Sequence, residues 1–151
     1  MPDRPSLPLT GGCPCGAVRY EVSAFPLLLY ACHCTNCQRQ SGAAFALNMP
    51  VRTSAFRLTS GAPKAWRRPG TASWFCPECA GRIHGARETR PQSVNVRAGT
   101  LDDTTWLTPI AHLFTRSAQK WEIFAAETPC YEDLPDDWTV LTQEWKRIWG
   151  D

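Results

Sequence analysis

Cys32-His33-Cys34-Thr35-Asn36-Cys37 places three thiols within six residues. Cys13-Pro14-Cys15 lies upstream of it, Cys76-Pro77-Glu78-Cys79 lies downstream, and Cys130 stands alone. Closely spaced thiolates are what a tetrahedral soft-ligand site requires. Cysteines a residue or two apart can curl round one ion, with each sulfur about 2.3 Å from zinc. A disulfide framework suits a secreted chain, and a lone CxxC pair often serves redox chemistry. Neither accounts for three tight groups in a chain whose first ten residues are proline-rich and polar and lack the apolar stretch of a secretory signal. The thiols are therefore expected in a reducing cytoplasm, as metal ligands and not disulfide partners.

Ligand counting refines this. Two closed tetrahedral sites take eight ligands, and the clustered cysteines supply seven. The natural division joins the two pairs and leaves the triplet by itself, although the spacing does not forbid pairing the triplet with one of the doublets. Four thiolates, from Cys13, Cys15, Cys76 and Cys79, make a closed structural site. Three, from Cys32, Cys34 and Cys37, leave a position for water or substrate, as a catalytic zinc does. Cys130 reads as a bystander thiol. His33 alternates with its cysteine neighbours, so in extended chain its ring points away from theirs and supports the site without ligating. His84 and His112 each sit in a short apolar stretch and read as satisfied sheet histidines.

Around these groups the chain reads as short strands. Ala17 to Val22 and Ser93 to Arg97 alternate apolar and polar residues. Apolar runs at Leu27 to Ala31 and at Ala43 to Met49, the latter stopped by Pro50, read the same way. So do Phe56 to Leu58, Ala65 to Arg67, Leu113-Phe114 and Glu122 to Phe124, while Ser73-Trp74-Phe75 leads directly into Cys76. Thirteen prolines and ten glycines supply turns and oppose long helices. Thr35 to Gln40 is a single helical turn ended by Ser41-Gly42. At the end of the chain Leu141, Trp145, Ile148 and Trp149 fall on one helix face, which predicts a helix with that stripe in the core. The expectation is a mostly β protein of stacked antiparallel sheets of short strands with a short helical C-terminus. Its organisation is read as residues 1–8 disordered, 9–135 the zinc-binding domain, and 136–151 a C-terminal helix packed on it. A net charge of +2 gives no reason to expect nucleic acid, and the absence of a long apolar run gives none to expect a membrane.

Three stretches resemble the glutathione-dependent formaldehyde-activating enzyme family, which shares its domain with centromere protein V. They are Gly11-Gly12-Cys13-Pro14-Cys15-Gly16-Ala17-Val18-Arg19-Tyr20, Cys32 to Gly42, and Phe75-Cys76-Pro77-Glu78-Cys79. His112-Leu113-Phe114, Lys120-Trp121 and Asp133-Leu134-Pro135 are similar as well. The resemblance implies a fold similar to the Mss4-like fold, a structural zinc on Cys13, Cys15, Cys76 and Cys79, and a second zinc on Cys32, Cys34 and Cys37. It implies a carbon–sulfur lyase that forms S-hydroxymethylglutathione from glutathione and formaldehyde, with two zinc ions per chain and glutathione as cosubstrate. After Cys79 the family has glycine and then a small polar residue, whereas here Ala80 comes first and Gly81 second. The family assigns no role to Trp138 through Asp151.

An open zinc with three thiolates binds a fourth thiolate readily and is a poor Lewis acid, because its ligands already neutralise it. A thiol is therefore the expected ligand, and a small aldehyde-like electrophile its reaction partner. Thiols add to formaldehyde without a catalyst, which leaves related electrophiles open. Arg39 is the candidate for a glutathione carboxylate, and Ser41 and Gly42 the candidates for backbone donors. The competing class is a non-catalytic, zinc-stabilised binding module with two structural zinc sites. A thiol–disulfide oxidoreductase using Cys76 and Cys79 lacks the βαβ context such a motif needs.

Overall fold

The computed structural model describes residues 3–150. In chain order they form β1 (Leu9–Gly12), β2 (Arg19–Val22), β3 (Tyr30–Cys32), α1 (Thr35–Ser41), β4 (Ala46–Arg52), β5 (Phe56–Ser60) and β6 (Lys64–Arg68). There follow β7 (Thr71–Phe75), β8 (Arg82–Arg87), β9 (Ser93–Arg97), β10 (His112–Leu113), β11 (Cys130–Tyr131) and α2 (Trp138–Trp149). The protein is mostly β, with two sheets of short strands and a short C-terminal helix. No helix among the described residues is long and apolar enough to cross a membrane.

The chain divides into two compact units. In the first, residues up to Leu27 join Met49–Leu107. Here β1, β2 and β5 form an antiparallel sheet, with Leu9 opposite Val22 and Tyr20 opposite Leu58. The alternation of β2 decides its faces: Tyr20 and Val22 are buried, while Glu21 turns outward to meet Arg57 at 2.6 Å. Strands β9, β8, β7 and β6 follow one another in antiparallel order, and the last residues of β4 lie in this unit. β5 and β6 flank Gly61-Ala62-Pro63 yet enter different sheets, pairing with β2 and β7 respectively. Gly61 allows that departure. Its φ is +77°, and a Cβ there would stand 2.2 Å from the Ala17 carbonyl oxygen.

The second unit comprises Leu28–Asn48 and the chain from Thr108 onward. β3 pairs antiparallel with β4, but β10 runs parallel both to β3 and to β11. The antiparallel reading gives way here because the neighbours of β10 reach it from distant segments. No tight hairpin sets their direction. α2 begins at Asp137, whose carboxylate accepts from the Thr139 N–H at 2.8 Å. Leu141, Trp145 and Trp149 are buried and Ile148 half-buried, so the apolar stripe is core as expected. The Trp138 ring meets Tyr30 of β3 edge-on at 5.7 Å.

Two strand expectations need correction. β4 continues through Pro50 to Arg52. Proline is tolerated where its nitrogen has no ladder bond to make, and its carbonyl still accepts from the Leu27 N–H at 2.9 Å. Glu122 to Phe124 is not a strand. Phe124 turns inward and Ile123 outward, but no strand among the described residues pairs with them.

His84 also departs from its sequence reading. It is buried on β8, stacked on the Trp74 ring at 4.6 Å and close to Phe56 at 4.6 Å, yet its Nδ1 has no hydrogen-bond partner among the described residues. Burial, and secondarily Arg82, push its pKa down to about 4. The folded protein therefore keeps the ring neutral while the unfolded chain, near 6.5, accepts a proton. Stability present at neutral pH is lost as pH falls from about 6.5 towards 4, by about 3 kcal/mol in total. His84→Gln should reduce the stability lost between about pH 7 and about pH 5 by about 2 kcal/mol, measured by urea unfolding. Protonation of the cysteine sites is common to both proteins and cancels. An unchanged pH slope would refute the assignment.

Candidate metal centres

The first centre lies within the first unit. Strand β1 delivers Cys13 into a tight turn in which the Gly16 N–H donates to the Cys13 carbonyl at 3.0 Å, and the Cys13 N–H to that of Val18 at 3.0 Å. Strand β7 delivers Cys76 into a second turn, closed by Ala80 N–H to Cys76 O at 2.9 Å and Cys76 N–H to Gly81 O at 2.9 Å. The four sulfurs of Cys13, Cys15, Cys76 and Cys79 all lie within 4.8 Å of one another. Cys13 and Cys15 sulfurs are 3.5 Å apart, and those of Cys15 and Cys76 are 3.8 Å apart. Sulfurs tetrahedrally placed about 2.3 Å from zinc stand about 3.8 Å from each other, so the donor set fits a zinc ion. Val18 N–H donates to the Cys13 sulfur at 3.2 Å. Burial opposes a thiolate at Cys13, but this bond and the neighbouring sulfurs outweigh it and bring the thiol down to about 6.

The reversed order of Ala80 and Gly81 has a structural reading. Ala80 takes the left-handed conformation, with φ of 59°. Gly81 is needed for space: a Cβ there would lie 2.7 Å from Pro14 Cδ and 3.3 Å from the Cys79 sulfur. Relieving the strain by Ala80→Gly is expected to raise stability by about 0.5–1 kcal/mol. Gly81→Ala should lower both the melting temperature and the zinc content, because it forces the two turns apart. If the two variants shift the melting temperature in the same direction, this account of the turn fails.

The second centre lies within the second unit. β3 ends at Cys32, which is buried. Cys34 is the N-cap of α1, its sulfur accepting from the Cys37 N–H at 3.3 Å. The sulfurs of Cys32, Cys34 and Cys37 lie within 4.8 Å of one another, and no fourth His, Cys, Asp or Glu joins them among the described residues. Cys130 is exposed, its thiol directed to the Thr128 carbonyl at 3.5 Å. The Cys32 thiol is pushed up, first by its neighbour Cys37 and then by burial, so a full set of thiolates needs a cation among them.

His33 supports this loop from behind. Its ring is fully buried against Phe45, His112 and Phe124, and Nε2 meets His112 Nδ1 at 2.9 Å. Its carbonyl accepts from Gln38 Nε2 at 2.8 Å and from the Ser117 hydroxyl at 2.9 Å. Gln38 and Ser117 are supporting residues that sequence reasoning passed over. Gln38 stands inside a motif of note, but Ser117 is far away in sequence and carries no local signal. Arg39 is exposed in the last turn of α1. Ser41 donates its hydroxyl to the Cys37 carbonyl at 2.7 Å, and the Gly42 N–H donates to Gln38 O at 2.9 Å. Those two residues close the helix, with Gly42 at φ 63°.

Residues 8–117 match the family model described as glutathione-dependent formaldehyde-activating enzyme. A Rhodobacter sphaeroides protein known from its crystal structure is similar at 26% identity and a TM-score of 0.53. That match covers 64% of this chain and 91% of the other. The family match spans most of the chain and includes every cysteine of both centres. The chain belongs to the glutathione-dependent formaldehyde-activating enzyme family.

Proposed function

We propose that the protein is a zinc-dependent carbon–sulfur lyase acting on glutathione adducts. It would form S-hydroxymethylglutathione from glutathione and formaldehyde, or join glutathione to a related small electrophile. The observation that carries this reading is the contrast between the two centres: four gathered thiols in one, and three with no fourth protein ligand among the described residues in the other. Zinc bound by Cys32, Cys34 and Cys37 would supply a position where a substrate thiol is held as thiolate at neutral pH.

In the reaction the substrate sulfur bonds to the carbonyl carbon, the C=O π pair moves to oxygen, and the proton lost from sulfur ends on that oxygen. The reverse reaction breaks the same carbon–sulfur bond. Cys34 and Cys37 are fixed by the first turn of α1, and Cys32 by its strand. The Gln38 and Ser117 bonds to the His33 carbonyl hold the connecting backbone still, so the three sulfurs need little reorganisation to bind. Arg39, exposed in the last turn of α1, would meet a substrate carboxylate. The four-cysteine centre has a structural role in this reading, and a reducing cytoplasm is its setting.

Titrating the zinc-loaded protein with glutathione and with S-methylglutathione tests it. Glutathione should bind, and the S-methyl form, with no thiolate to donate, should bind far more weakly. Equal binding of both, or of neither, removes sulfur coordination and leaves a non-catalytic zinc module as the account.

A further inference from the structure

Between Glu21 and Glu78 the chain has no aspartate or glutamate, yet it carries Arg39, Arg52, Arg57, Lys64, Arg67 and Arg68. The last three of these cations fall on one short strand. β6 reads Lys64-Ala65-Trp66-Arg67-Arg68, and every residue of it is exposed. Among the described residues it pairs with β7 alone, at the end of its strand order. Pro69-Gly70 closes that hairpin between Arg68 and Thr71, with Gly70 at φ +78°. On its open side the strand keeps backbone N–H and C=O groups that β7 does not use.

Strand alternation sends Lys64, Trp66 and Arg68 to one face and Ala65 and Arg67 to the other. The Arg68 guanidinium lies over the Trp66 ring, 5.7 Å from its centre. That of Arg67 lies over the Trp74 ring at 5.6 Å, and Trp74 is itself stacked on buried His84. Two cations are thus seated on aromatic rings and lose little freedom on meeting an anion. Lys64 and Arg67 form no ion pair among the described residues.

We propose that β6 is a docking edge for an extended acidic segment of another protein, which joins the sheet as one more strand. Main-chain hydrogen bonds to β6 set its register, and its carboxylates at alternate positions face Lys64 and Arg68. A polypeptide suits this edge better than a nucleic acid, because the open side presents donors and acceptors at strand spacing. β6 belongs to the first unit and the three-cysteine centre to the second, so the docking edge stands or falls apart from the thiol chemistry.

Fluorescence anisotropy of the zinc-loaded full chain tests it. The probe is a labelled peptide of about ten residues that alternates glutamate and threonine. Lys64→Glu combined with Arg68→Glu should weaken its binding roughly tenfold or more, by a factor that shrinks with added salt. Zinc content and melting temperature should not change. Lys120→Glu, an exposed charge reversal in the second unit, should leave binding within about twofold. The same peptide N-methylated at its central residues keeps its charge but cannot build a ladder, and should bind the wild type at least about fivefold more weakly. No binding to the wild type, equal binding to the charge-reversed variant, or equal binding of the N-methylated peptide overturns the docking edge. Tighter binding of a thymidine oligonucleotide, abolished by the same charge reversal, makes the strand a nucleic-acid surface and overturns it too.

Discussion

Cys76→Ser is expected to leave almost no soluble, folded protein. Cys76 is buried at 1% exposure, and its sulfur stands 3.8 Å from that of Cys15, which reaches the centre from a different part of the chain. A zinc ion held there ties β1 and β7 to one point. Binding free energy of this kind is folding free energy, on the order of 10 kcal/mol in small domains. That is comparable with the whole stability of a domain, about 5–15 kcal/mol. A serine hydroxyl is a far weaker zinc ligand than a thiolate, and it would leave three sulfurs crowded in a partly buried turn. Soluble yield, zinc per chain and melting temperature report the effect. A soluble variant with an unchanged melting temperature would refute the structural role.

Cys37→Ser should behave differently: folded, one zinc retained, glutathione binding lost. The three thiols of this centre come from six consecutive residues, so an ion there constrains little chain. The local fold has other supports, in the Gln38 and Ser117 bonds to the His33 carbonyl and in the buried His33 ring. Losing one of three sulfurs should therefore empty the site without melting the protein. Cys130→Ala, removing an exposed thiol outside both centres, should keep two zinc ions and full binding. Elemental analysis and glutathione titration of both variants decide the matter. Loss of the second zinc in Cys130→Ala would favour a closed, non-catalytic site instead.

The cysteine groups were legible because metal knuckles are local: the spacing within Cys32 to Cys37 and within Cys76 to Cys79 is itself the signal. Periodicity likewise located β9 and the α2 stripe, since each is amphipathic within its own span. What sequence could not supply was partnership between distant segments. The parallel neighbours of β10 are fixed by tertiary packing and leave no local mark. β1 and β8 went unread because glycines dilute their alternation, at Gly11-Gly12 and at Gly85. A Cβ at Gly85 would stand 3.0 Å from Arg82 Nη2 and 3.2 Å from the Ala72 carbonyl oxygen. The bond from Gln119 to Gln38 was invisible for the same reason: hydrogen bonds between side chains some eighty positions apart obey no period.

Strand β6 lies at the end of its strand order, and all five of its residues are exposed. An outermost strand offers a row of unpaired N–H and C=O groups, on which another chain can build. Here that rim reads Lys64-Ala65-Trp66-Arg67-Arg68. Laid antiparallel against itself about Trp66, it would set Lys64 opposite Arg68 at both ends, like charge against like. The guanidinium of Arg68 also lies over the Trp66 ring, 5.7 Å from its centre, screening the apolar residue most inviting to a neighbour. β11, the outermost strand of the second unit, is only two residues long and gives an incoming chain little to grip. The protein therefore carries its own defence against fibril-like stacking at high concentration, and that defence resides in three basic side chains that the chemistry of the thiol site does not use.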